Sequence, residues 1–143
     1  MANTHAKLFA HPRIEVEWVG ANEFEARRAG APGIRIDGDS KSAPSPFDAL
    51  LAAIATCAAT DVVSILAKQR TPVRSLGVSV EAQRVEATPR RLASAVLHFS
   101  IAAPGTTAVK AGRAIELAVT KYCSVRSSLL AEVSVTWTVE LKE

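Results

Sequence analysis

Cys57 and Cys123 are the only cysteines of this 143-residue chain, and the residues best suited to covalent chemistry. Cys57 sits in the middle of an Ala-rich apolar stretch and Cys123 near the end of a second periodic one, and both stretches read as helices that pack in one core. Two thiols converging there could act as attacking and resolving sulfurs, passing through a sulfenic acid to a disulfide. Taken singly, each is better read as a small buried hydrophobe. Asp61 follows Cys57 by one turn, about 40° around an ideal helix, and so shares its face. A bare carboxylate raises a thiol pKa. A reactive Cys57 therefore calls for a cation, with Arg13, Arg27, Arg28 and Arg113 as candidates. Asp61 is otherwise a cap or an ion-pair partner. The histidines, His5, His11 and His98, have no metal-ligand spacing with one another or with the cysteines, so no metal is expected. A Gly-rich phosphate loop, a nucleophile elbow and a hydrolase-type carboxylate pair are also missing, and no cofactor is expected.

The thiols depend on the elements that must position them. Ser45 is placed to cap a helix, Pro46 fits its first position, and Asp48 stands three residues after the cap with its carboxylate in the positive first turn. This helix is predicted to run to about Gln69 or Arg70 and to stop before Pro72. Its middle, ALLAAIATCAAT, is apolar nearly all round, which predicts burial on most sides. One sheet of a chain this size cannot cover it, so a second copy of the chain is expected against the remaining face. Ahead of the helix, Ile14–Trp18 alternates as a half-buried strand. Phe24–Arg28 returns with Phe24 and Ala26 inward, and Ile34–Ile36 completes a meander. Behind it come strands around Leu76–Ala82 and Leu92–Ile101, then a helix capped at Thr106 or Thr107 and leading toward Tyr122. A break at KYCSV, a short helical piece Val125–Leu130 and a strand Val133–Leu141 follow. Strands grouped around two helices predict an α+β fold with mostly antiparallel sheet. Residues 1–143 are expected to form a single domain, with 1–11 a flexible N-terminal segment.

Composition narrows the function classes. Hydrophobic residues at 48% and charged residues at 22% belong to a globular chain rather than a disordered one. The net charge of +3 is scattered, and aromatic residues are only 5%, too few to stack bases, so no nucleic-acid partner is expected. The longest apolar run, Ala49–Thr60, falls short of the ~20 residues that cross a bilayer, so no membrane partner is expected. With no export signal at its start and only two cysteines, the chain is expected in the cytoplasm with reduced thiols.

Two motifs carry a family resemblance. SPFDALLAAIATCAATDVVSIL resembles the central-helix motif of the OsmC/Ohr family, and RAIELAVTKYCSV resembles its second cysteine segment; with a WxG-like start at Trp18–Gly20 the likeness spans residues 12–142. The resemblance implies two central helices packed against mainly antiparallel sheets, in an intertwined homodimer with active sites at the subunit interface. It implies a thiol peroxidase of oxidative-stress defence that reduces organic hydroperoxides and is recycled by a dithiol or a lipoyl-protein. Carried over, Cys57 is the peroxidatic thiol and Cys123 the resolving one. The hydroperoxide reductases of the family carry a Glu at the second helical position, paired with an Arg from the N-terminal strands. That position is Phe47 here, with Asp48 beside it and Arg27 and Arg28 a few residues beyond the expected Arg. Asp48 and the segment Asp61–Ser64 resemble the OsmC-like branch. The alternative is a small-molecule-binding dimer for an apolar or acyl ligand, in which the thiols are bystanders or slow sensors.

Overall fold

The computed structural model describes residues 6–143; residues 1–5, with His5 and the first part of the segment expected to be flexible, lie outside the described residues. The described chain divides into two compact units, one ending at Ala49 and the other beginning at Leu50.

The first unit is an antiparallel meander of β1 (Ile14–Gly20), β2 (Glu23–Arg28) and β3 (Gly33–Asp37), with β2 central. Trp18 stands opposite Phe24, and Phe24 opposite Ile36. The β1–β2 turn needs left-handed backbone at Gly20 and Ala21 (φ +126° and +46°). The Trp18 indole N–H secures it by donating to the Ala21 carbonyl at 2.7 Å. A side chain at Gly33 would meet the Ala26 carbonyl at 2.8 Å, so only glycine lets β3 start this close to β2. The alternation of β1 does not produce the expected half-burial, because nothing in this unit covers that face: Ile14, Val16 and Trp18 are 53%, 64% and 65% exposed. Phe24 and Ala26 are only half-buried.

Asp37 is the one buried residue among the described residues of this unit. Its carboxylate accepts from the Ser42, Asp39 and Lys41 backbone N–H groups and from the Ser42 hydroxyl. These bonds, led by that of the Ser42 N–H, hold its pKa at about 2 against the usual 3.8.

Helix α1 (Pro46–Lys68) starts as its sequence predicts. Asp48 N–H donates to Ser45 Oγ at 3.0 Å and Ser45 N–H to Asp48 Oδ2 at 2.9 Å, a reciprocal box. It ends in a Schellman turn: Thr71 N–H reaches Leu66 O, Arg70 N–H reaches Ala67 O, and Arg70 takes φ +63°, ahead of Pro72. By length and composition α1 is also enough to cross a bilayer, contrary to what the longest apolar run suggests. Core helices of water-soluble folds pass the same test.

In the second unit, β5 (Leu92–Ala102) is the central strand between β4 (Ser75–Arg84) and β6 (Ser134–Leu141). The β4–β5 pair is antiparallel, and β5–β6 is parallel. A parallel pair requires a crossover, and α2 (Ala108–Leu117) supplies it and lies along β6. Thr107 caps α2, its hydroxyl accepting from Lys110 N–H at 3.2 Å. The core is built from Ala95, Leu97, Phe99 and Ile101 of β5 and from one face of each helix: Ile54, Ala55, Ala58, Val62 and Leu66, and Ala111, Ala114 and Ile115. Each helical set repeats at the spacing that keeps one stripe inward. Contrary to the expectation of burial on most sides, α1 buries this stripe alone. On its exposed side, Thr56 and Thr60 turn their hydroxyls back onto the carbonyls of Ala52 and Thr56.

Candidate functional site: a paired-thiol centre

Cys57 lies two turns and more inside α1, beside the buried stripe and half-exposed; Cys123 is 4% exposed. The second thiol owes its place to an interruption. After Leu117 the helix widens into a π-turn, Ala118–Tyr122, closed by Cys123 N–H donating to Ala118 O at 2.8 Å. The chain then leaves helical geometry at Cys123 (φ −71°, ψ 102°) and starts the single-turn helix α3 (Ser124–Ser127). This is the break expected at KYCSV, but the short helix begins and ends earlier than the predicted Val125–Leu130. Single π-turns of this kind recur at functional sites because they re-aim the residues that follow.

The break frees backbone donors next to both sulfurs. Cys123 Sγ itself caps α3, accepting from Arg126 N–H at 3.3 Å. Cys57 Sγ lies 3.9 Å from Ser124 Oγ. Partial burial pushes the Cys57 thiol up. The Val125 N–H, the Cys123 thiol, the Ser124 hydroxyl and the Ser124 N–H all favour its charged form, and together they bring its pKa below the usual 9.0. Cys123 moves the other way: burial raises it first, and the neighbouring Cys57 sulfur raises it further, against the N–H groups of Arg126 and Val125. Cys57 is thus the more acidic of the two thiols and Cys123 the less acidic, the one that donates to it.

The two cysteines are therefore brought together, as their helices suggest. The cation expected to activate Cys57 is not among the groups that act most strongly on it, which are N–H, hydroxyl and thiol donors. Arg27 pairs with Glu17 and Glu25 within its own sheet. Arg28 ends β2 exposed, Arg113 pairs with Glu116 at 3.0 Å, and Arg13 lies exposed ahead of β1. Asp48 makes its hydrogen bonds with Ser45. Asp61 forms neither a cap nor an ion pair among the described residues; it lines a cavity of about 450 Å³ with Ser64, Lys68, Gln69, Leu117 and Tyr122. His98 hydrogen-bonds Thr138 Oγ1 at 2.8 Å on the sheet. Sequence reasoning missed Ser124 and the Val125 N–H. Their one signal was the polar, β-branched break after Tyr122, which releases N–H groups from the helix.

An α+β scaffold that couples a more acidic, half-exposed cysteine to a less acidic, buried one defines a paired-thiol protein. The chain belongs to the OsmC-like protein family, whose sequence pattern matches residues 38–138. It is 36% identical over 130 residues to Protein YhfA of Escherichia coli strain K12, covering 90% of this chain and 97% of that protein. Among solved structures it superposes on an OsmC-like protein from Mycoplasma pneumoniae (TM-score 0.78, 17% identity, 95% of this chain and 100% of that one). It also superposes on an organic hydroperoxide resistance protein from Elizabethkingia anophelis (TM-score 0.67, 15% identity, 96% and 100%). At those identities the two structures establish the shared α+β fold.

Proposed function

We propose that this protein is a thiol-dependent peroxidase that reduces organic hydroperoxides to alcohols in oxidative-stress defence, with Cys57 attacking and Cys123 resolving. The observation that carries the reading is the adjacency of two sulfurs, the half-exposed Cys57 accepting from the buried Cys123 thiol with Ser124 Oγ 3.9 Å away, which leaves Cys57 the more acidic. The naming of structural relatives as organic hydroperoxide resistance proteins supports the substrate class. The Cys57 thiolate attacks one peroxide oxygen, the O–O bond breaks, and the alkoxide leaves as alcohol after taking a proton. Cys57 is now a sulfenic acid. Cys123 attacks its sulfur, the S–S bond forms and water leaves. A dithiol or lipoyl-protein then reduces this disulfide by exchange and is itself oxidised. The thiol state required at the start fits a cytoplasmic address. A homodimer completes the reading: the uncharged outer face of α1 around Thr56, Thr60 and Val63 and the apolar face of β1 are the surfaces a second copy would cover.

The test is a thiol count before and after one equivalent of cumene or tert-butyl hydroperoxide, with hydrogen peroxide alongside. Both thiols are expected to disappear, faster with the organic peroxides, and Cys57→Ser to lose turnover. A Cys57→Ser protein that consumes hydroperoxide as fast as the parent overturns the reading.

A second reading, a small-molecule-binding protein, has the cavity beside Asp61 in its favour. Asp61, Ser64, Lys68 and Gln69 surround it together with Ile65, Leu117 and Tyr122, a mixed lining suited to an acyl ligand with a polar head. Native mass spectrometry of protein taken directly from cells separates the two, since a stoichiometric bound molecule supports binding and an empty protein counts against it.

A further inference from the structure

We propose that Ser124 is a positioning residue, whose hydroxyl donates its hydrogen to Cys57 Sγ and, beside the Val125 N–H, favours the thiolate of Cys57. The inference rests on the reading of Cys57 as the attacking thiol and adds a side chain that supports it.

Ser124 is the residue next to Cys123, yet its hydroxyl faces the other sulfur: Oγ lies 3.9 Å from Cys57 Sγ, the one side-chain hydrogen bond of that oxygen among the described residues. The separation is at the long end for a sulfur acceptor with a neutral thiol. Charge on Sγ draws such a donor in, as charge-assisted hydrogen bonds shorten relative to neutral ones. Cys123 has no equivalent hydroxyl; its bond from Arg126 N–H is a backbone bond fixed by its place as the cap of α3. Burial of Cys123 and the Val125 N–H on Cys57 already separate the two sulfurs; the Ser124 hydroxyl adds a side chain to that asymmetry, and side chains can be removed.

The charged and titratable groups around Cys57 do not supply the same support. Asp61, one turn along its own helix, opposes a thiolate. On the facing segment, Lys121 lies over the Tyr122 ring with Nζ 5.4 Å from its centre. The Arg126 guanidinium is turned onto the Val133 carbonyl at 2.6 Å. Cys123 is the partner thiol itself. Ser124 is exposed, so losing Oγ opens no core cavity and Ser124→Ala should fold like the parent.

The experiment is the pH profile of Cys57 alkylation by iodoacetamide, read by peptide mass spectrometry on the reduced full-length chain, for the parent, Ser124→Ala and Ser124→Thr. A single hydrogen bond to a charged group predicts that Ser124→Ala moves the Cys57 midpoint up by about one pH unit, roughly tenfold less alkylation below both midpoints. Ser124→Thr, which keeps the hydroxyl, should restore the parental profile. An unchanged midpoint in Ser124→Ala overturns the proposal, and so does a shift that threonine fails to rescue. The readout uses no peroxide. A shifted and rescued midpoint in a chain that reduces no hydroperoxide would sink the peroxidase reading while leaving the Ser124 assignment standing.

Discussion

The two three-stranded sheets of this protein are built from similar alternating sequences and end in opposite states. Along β5, every second residue from Ala95 to Ile101 disappears under helices, and Phe99 keeps only 2% of its surface. Along β1, the same alternation leaves Trp18 65% exposed. The first sheet is held by its turns, by Arg27 and Arg35 bridging its glutamates, and by the Asp37 loop. The second has an apolar layer of its own. An alternating pattern states that a strand wants one face covered; it does not say from where the cover comes.

Substitutions at the centres of the two sheets offer the sharpest contrast. Phe99→Ala should cost ~3–5 kcal/mol in denaturant unfolding, as for other fully buried aromatics. Trp18→Ala should cost several kcal/mol, in a protein-concentration-dependent way, if a second copy covers the face of β1 as proposed. It should cost only the ~1 kcal/mol of its turn hydrogen bond if that face is open in solution. A loss of several kcal/mol at Trp18, or a protein-concentration-dependent one, would end the contrast and place a second chain on that face, and sedimentation of the parent would then give a dimer.

The sheets should also respond differently to acid. Asp37 titrates near 2 when folded against 3.8 ordinarily, so its stabilisation is fully present above 3.8 and is lost as pH falls toward 2. Thermal unfolding of Asp37→Asn should lie below that of the parent at neutral pH, with the gap closing between pH 4 and pH 2. A gap that stays constant over that range would show that the carboxylate is not what holds the loop. The smallest effect is expected at the end of α1. Arg70 adopts a left-handed conformation that glycine takes without strain, and Arg70→Gly should gain ~0.5–1 kcal/mol in the second unit. No gain there would mean that the arginine side chain has contacts worth keeping.

Much of the scaffold was legible. The box at Ser45 and Asp48, the stop before Pro72 and the alternation of β4, β5 and β6 are local signals, and each is found where local chemistry puts it. The parallel sense of β5 and β6 was not legible, because alternation is the same in either direction. The burial of α1 was overstated for a related reason: an all-round apolar helix shows how much surface seeks cover, whereas a single chain provides one covered stripe. At the site, Cys57 and Cys123 could be named as a pair from type and position. Arg27, Arg28 and Asp48 could not be weighed, since a side chain's partner lies in another strand or turn. Here those partners proved to be Glu17 and Glu25 for Arg27, and Ser45 for Asp48.

The sequence by itself determined which atoms are available for chemistry: two sulfurs, one in a long capped helix and one after a helix that cannot continue through its β-branched break. Those are properties of residue type and neighbours along the chain. Only the tertiary structure decided that Ser124 Oγ and the Val125 N–H meet Cys57 while burial raises Cys123. Acidity depends on what lies within a few ångströms of the sulfur, and those neighbours come from the far side of the fold.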